Sequence, residues 1–180
     1  MNEIEFNDIR MKVVEAGYEE EIIWQQQLKE CETVADFFME TCWVILNSGM
    51  REQICRVIWN RIQEAWDNGI DISNVFNHKG KVAAIKHVKK NKERLFSEYQ
   101  KAENKIDYLL TIPFIGKITC WHLAKNLGQD CVKPDRHLVR VSEVYNTTPD
   151  ALCERISSMT GEKKSVVDII IWRACNLGLL

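Results

Sequence analysis

Residues 109–141 read LLTIPFIGKITCWHLAKNLGQDCVKPDRHLVRV, and this stretch decides the fold. Pro113 disfavours helix at Ile112 and so ends a first short helix. A tight turn spans Pro113–Gly116, where Gly116 permits backbone conformations and close approaches that a side chain forbids. A second helix runs from about Lys117, a loop follows around Gly128, and Pro134 opens a third helix. The amides that start the second helix point at no preceding turn, and Lys117 adds positive charge beside them. Such a helix start suits an anion, a phosphate above all. Asp135 falls at the start of the third helix, where the dipole favours negative charge. A carboxylate there is either a helix cap or a reactive group.

Outward from this segment the chain reads as helix from end to end, an all-α fold. Ala35, Phe38, Met39, Cys42, Ile45 and Leu46 recur at helical spacing and form one apolar stripe. That helix stops at Asn47-Ser48-Gly49. Ile54, Val57, Ile58, Ile62 and Ala65 make a second stripe, ending before Asp67-Asn68-Gly69. Residues 79–102 hold helix formers and no proline. Residues 166–174, VVDIIIWRA, are apolar almost all round, which predicts a central, buried helix. No stretch alternates with period two for long enough to make a strand.

A chain of 180 residues forms one domain or two lobes sharing an interface. Its 46% apolar and 28% charged residues exclude long disorder. No apolar run reaches membrane-spanning length, and the start MNEIEFNDIR has no charged-then-apolar signal pattern, so a cytoplasmic protein is expected. Seven cysteines at 31, 42, 55, 120, 131, 153 and 175 form no C-x-x-C pair. Their odd count and spread argue against a disulfide framework and a zinc site, and no C-terminal cluster stands ready for iron–sulfur; buried free thiols are expected. The net charge of −2 hides an asymmetry. Residues 79–94 carry Lys79, Lys81, Lys86, Lys89, Lys90, Lys92 and Arg94 against Glu93 alone. That stretch is a solvated helix face or a basic face for a polyanion.

The 109–141 segment resembles the helix-hairpin-helix (HhH-GPD) superfamily of DNA glycosylases. The family hairpin runs roughly L-P-G-[VI]-G-x-[KSW]-T-A, and Ile112, Pro113, Phe114, Ile115, Gly116, Lys117, Ile118, Thr119 and Cys120 stand in its place. The family's V-D-x-H-[VIL]-x-R-[VIL] follows, matched by Pro134, Asp135, Arg136, His137, Leu138, Val139, Arg140 and Val141. Two departures matter. Phe114 replaces the first hairpin glycine, so the turn is altered or the ring contacts DNA or base. Ile118 replaces the Schiff-base lysine of the bifunctional members. Lys117 lies one residue off, about 100° around a helix axis. The resemblance therefore implies a monofunctional enzyme with water as nucleophile; a one-residue shift of the hairpin would restore Lys117 and make a bifunctional glycosylase/AP lyase.

Breaking an N-glycosidic bond builds positive charge on the sugar, and a nearby carboxylate stabilises that cation and orients the attacking water. The resemblance assigns this role to Asp135, with His137 anchoring the loop and Arg140 holding a carboxylate or phosphate. It implies backbone binding by Phe114, Gly116, Lys117 and Thr119. Asn47, Ser48 and Gly49, with Met50 and Arg51 beside them, are candidates for a minor-groove wedge, or else form a plain helix–helix turn. Phe38, Trp43, Phe114, Trp121 and Trp172 are candidate surfaces for an extruded base. Asp168 reads a base edge or pairs with an arginine such as Arg140 or Arg173, since an unpaired buried charge is costly. The implied fold is two-lobed, with 1–40 plus 132–180 in one lobe and 41–131 in the other, the hairpin lying at about 105–127. No cofactor is expected beyond a monovalent cation on the hairpin carbonyls of 112–115. The expected partner of this monomer is double-stranded DNA with a damaged or modified base, met in repair or in defence against modified phage DNA. The alternatives are a non-catalytic hairpin DNA-binding module and a structural helical domain.

Overall fold

The computed structural model describes residues 1–180 and contains ten α-helices, a single 3₁₀ turn at Ile72–Asn74 and no strand. The helices are α1 (Glu3–Glu15), α2 (Glu19–Gln27), α3 (Val34–Asn47), α4 (Glu52–Asp67) and α5 (Lys79–Lys101). After them come α6 (Lys105–Leu109), α7 (Thr119–Asn126), α8 (Arg136–Val144), α9 (Pro149–Thr160) and α10 (Lys164–Asn176). None is long and apolar enough to cross a membrane. The chain divides into two compact units, one of Met1–Glu30 with Ala124–Leu180 and one of Cys31–Leu123.

These boundaries differ from the 40/41 and 131/132 divisions read from the sequence. Helix α3 is continuous from its Thr33 cap and packs as a whole against α5, which draws residues 31–40 into the second unit. Lys125 on α7 pairs with Asp168, which draws the end of α7 into the first.

In the first unit α10 is the central helix, packed by α1, α2, α8 and α9. Val166, Val167, Ile170, Ile171 and Ala174 are fully buried, as the apolar run 166–174 indicates. Gly128 shapes the path into this unit. Its φ of +87° is a left-handed conformation, and a Cβ there would run into the Lys29 carbonyl.

In the second unit α3 lies against α5 on one side and α4 on the other. Helix α3 therefore buries a wider arc than one stripe: Phe37, Thr41 and Val44 join Phe38, Cys42, Ile45 and Leu46, while Ala35 is exposed. The α4 reading needs correction. Ile62 and Ala65 are buried as expected, but Ile54 and Val57 are each 53% exposed, Ile58 is half-buried, and Cys55 is buried in their place. The spacing is helical either way; the buried arc is rotated toward α3.

None of the seven cysteines is in a disulfide, and Cys42, Cys55, Cys120, Cys153 and Cys175 are buried. Burial pushes the Cys55 thiol up to about 11 and that of half-buried Cys131 to about 12, and raises Cys42 and Cys153 further still.

Candidate functional site

The hairpin is built in the second unit. Asn104 caps α6 by accepting from the amides of Ile106 and Asp107. The turn beyond closes when the Ile115 amide donates to the Ile112 carbonyl at 3.1 Å. Pro113 and Phe114 are its two central residues, and Phe114 has φ +72°. Proline followed by a left-handed residue is the pattern of a type II turn, which favours glycine at the second central position. Phe114 thus holds a backbone conformation that glycine adopts most readily.

The following amides divide into used and open ones. Gly116 N–H donates to Thr119 Oγ1 at 2.7 Å, and the Gly116 carbonyl accepts from Cys120 N–H. The Gly116 amide is therefore taken inside the chain, and a Cβ at this position would meet only Thr119 at 3.8 Å. The expected close approach at Gly116 is absent from the chain's own packing. The amides of Lys117, Ile118 and Thr119, at the start of α7, have no acceptor within the chain. Lys117 and Ile118 are exposed.

The Phe114 ring is 41% exposed, and its covered part sits on the start of α5. It meets the His78 ring edge-on at 5.7 Å between centroids and carries Lys81 Nζ 5.9 Å above it. Gly80 leaves the room: a Cβ there would come within 3.1 Å of the ring. His78 caps α5 by accepting the Lys81 amide on Nδ1. Lys81 itself is 3% exposed, and its Nζ donates to the carbonyls of Leu46 at 2.7 Å and Ser48 at 2.6 Å. These are carbonyls at the end of α3, which lack partners within the helix and attract a cation. Burial lowers the Lys81 pKa from the ordinary lysine value, and nearby Cys55 opposes that shift.

Lys81 therefore joins two elements singled out separately in the sequence. One is the hairpin, through Phe114. The other is the 47–51 turn, where Asn47 ends α3, Ser48 caps it, Gly49 has φ +68° and Arg51 stands exposed before α4. The sequence placed Lys81 in a run that is either a solvated helix face or a basic face for a polyanion; its buried role at the end of α3 is neither. The available signal was its position four residues before Ile85 and seven before Val88, both buried on the apolar face of α5. The rest of the basic stretch is partly committed: Lys86 pairs with Asp71, Arg94 with Glu98, and Lys79 and Lys90 are exposed.

The aromatic candidates have partners of their own. Phe38, Trp66, Trp59 and Trp43 form a chain of rings 5.1, 5.8 and 6.0 Å apart. Lys92, Lys89 and Arg56 lie over Phe38, Trp66 and Trp43. Trp172 and Tyr18 both carry the Arg173 guanidinium, at 4.8 and 4.0 Å. Trp121 is half-buried on α7.

Asp135 lies in the first unit as the N-cap of α8. Its Oδ1 accepts from the amides of His137 at 2.9 Å and Leu138 at 3.3 Å. Pro134 precedes this cap, so α8 opens at Arg136 rather than at the proline. The Asp135 amide donates to the Lys133 carbonyl at 2.8 Å, and Oδ2 lies 3.5 Å from Lys133 Nζ. One carboxylate oxygen is thus spent on the helix, and the other faces a cation. The His137 ring accepts from Arg136 Nε, and Arg140 donates to the Leu180 carbonyl.

Asp168 requires a correction. It is 1% exposed, Oδ1 accepts from Lys125 Nζ at 2.8 Å, and Oδ2 accepts from the Lys133 amide at 2.6 Å. Both oxygens are occupied inside the unit, so no base edge reaches them. The partner is Lys125 rather than Arg140 or Arg173; Arg173 is held by Glu21. No group of three or more His, Cys, Asp or Glu side chains is placed to hold a metal ion. Of the 112–115 carbonyls, that of Ile112 accepts the Ile115 amide.

Comparison of the chain with protein-family models, with curated protein sequences and with solved structures finds no match.

Proposed function

We propose that the chain is a DNA glycosylase that hydrolyses the N-glycosidic bond of a damaged or modified base extruded from duplex DNA. The observation that carries this reading is the turn at 112–115. It holds Phe114 at φ +72°, the conformation for which the resembling hairpin pattern supplies glycine, and it does so upstream of a helix capped by the motif aspartate. A side chain left in a left-handed turn argues that the turn itself is wanted.

In this reading a DNA phosphate takes the open amides of Lys117, Ile118 and Thr119, with the Lys117 charge beside them. A monovalent cation on the 112–115 carbonyls would add positive charge at the same phosphate. The 47–51 turn, with Gly49 and Arg51 exposed, enters the minor groove as the target nucleotide leaves the stack. Asp135 Oδ2 is the oxygen left to stabilise the developing sugar cation and to orient water, because Oδ1 is held by two amides. The residue at the lysine position of the pattern is Ile118, which has no amine, so water is the nucleophile.

One observation favours a second reading, a hairpin module that binds DNA without chemistry: Asp135 caps α8 with Oδ1 while Oδ2 faces Lys133. A panel of duplexes carrying N7-methylguanine, 8-oxoguanine, uracil opposite guanine and a hypermodified cytosine separates the two. The glycosylase reading expects free base from at least one member and strand breakage only after alkali. Duplex binding without base release from any member supports the binding module. Breakage without alkali, trapped by borohydride, contradicts water as nucleophile.

A further inference from the structure

Asp168 is a buried acid that the proposed chemistry does not touch, yet its bonds lead to the residue that does. Lys125 Nζ holds Oδ1 at 2.8 Å, and Oδ2 accepts the main-chain amide of Lys133 at 2.6 Å. The carbonyl of the same Lys133 accepts the Asp135 amide at 2.8 Å, and its Nζ lies 3.5 Å from Asp135 Oδ2. Between them stands Pro134, whose ring fixes φ and leaves the segment few other conformations. All five residues belong to one unit, and Asp168 is carried by its central helix α10.

A buried ion pair is a poor source of stability, since apolar residues of similar volume commonly serve as well or better. Its value lies in geometry. A carboxylate accepting a main-chain amide in a dry site fixes where that amide sits, and a charge-assisted hydrogen bond is the stronger kind. We infer that Asp168, set by Lys125, is a positioning residue for Asp135: it anchors Lys133 to α10 and so fixes the Lys133–Asp135 turn from which the catalytic carboxylate projects. The inference rests on the glycosylase reading for its functional consequence, and on the bonds alone for its structural one.

Two double variants test it, both of which avoid a buried unpaired charge. Lys125→Met with Asp168→Asn keeps an oxygen to accept the Lys133 amide. Lys125→Met with Asp168→Leu removes it. Amide exchange is read across 133–138, and the single-turnover rate of base release is read on whichever panel duplex the wild type opens. The expected result for the leucine variant is faster exchange across 133–138 and a rate lower by about tenfold or more, the scale on which a misplaced catalytic group is felt. Its duplex affinity should be unchanged, and the asparagine variant should stay close to wild type in both readouts. Unchanged exchange in the leucine variant overturns the inference whatever the protein catalyses. Faster exchange with an unchanged rate overturns the link to Asp135 and leaves the glycosylase reading standing. A wild type that opens no duplex removes that reading and the functional half of the inference with it.

Discussion

Phe114 shows how a single residue can disagree with its backbone and still report what the backbone is for. A left-handed conformation costs a non-glycine residue about 1–2 kcal/mol, and the ring offsets part of that by packing on His78, Gly80 and Lys81. Two truncations separate strain from packing. Phe114→Ala loses the ring and keeps the strain; Phe114→Gly loses the ring and relieves the strain. The glycine variant should therefore be the more stable of the two by about 1 kcal/mol in denaturant titrations. An alanine variant as stable as the glycine one would mean that residue 114 is not left-handed. That Phe114 stands where the resembling hairpin pattern has glycine was visible in the sequence. Its consequence was not, because a side chain's support comes from a helix start more than thirty residues upstream. The partners of Lys81 and Asp168 were hidden for the same reason: they lie 35 and 43 residues away, beyond any local pattern.

At the level of elements, the sequence pattern located α3, α4, α5 and α10, and their faces less well. The basic run 79–102 is the helix Lys79–Lys101, and the apolar run 166–174 is the centre of α10. Helix α4 shows where the reading fails: Ile54 and Val57 fit an apolar stripe but lie outside the packed arc. Spacing says that residues share a face without saying which face meets a neighbour. The bridge between α5 and the end of α3 makes a prediction at this scale. Lys81→Met leaves the Leu46 and Ser48 carbonyls without their donor, which should cost about 1–3 kcal/mol and release the 47–51 turn. Amide exchange at 47–51 should rise. In the glycosylase reading, fluorescence of a base analogue at the extrusion position should fall, while salt-dependent duplex affinity should persist because the 117–119 amides are untouched. Exchange at 47–51 equal to wild type would mean that Lys81 does not hold the turn.

For the whole molecule, the cysteines set a pH dependence that needs no knowledge of function. Burial raises the thiols of Cys42, Cys55, Cys131 and Cys153 above the ordinary value of 9.0. Above that value the unfolded chain loses these protons while the folded chain keeps them. The stability they contribute is thus complete below about pH 9 and is lost as pH rises, by about 1.4 kcal/mol per pH unit for each such thiol. Denaturation midpoints should fall between pH 8 and pH 10, and Cys42→Ala with Cys153→Ala should flatten the fall; a midpoint independent of pH would contradict the burial. The division into two units was legible in outline, its boundaries were not, since they depend on which helix α3 packs against and on the Lys125–Asp168 pair. The candidate acid was legible as a residue, Asp135, while the bonds that hold it emerge only from the folded chain. Its role is the centre of the account, and Asp135→Asn tests it most directly. The amide oxygen of asparagine can still cap α8, so fold and duplex affinity should survive while single-turnover base release is abolished. Base release at the wild-type rate in that variant would contradict the account.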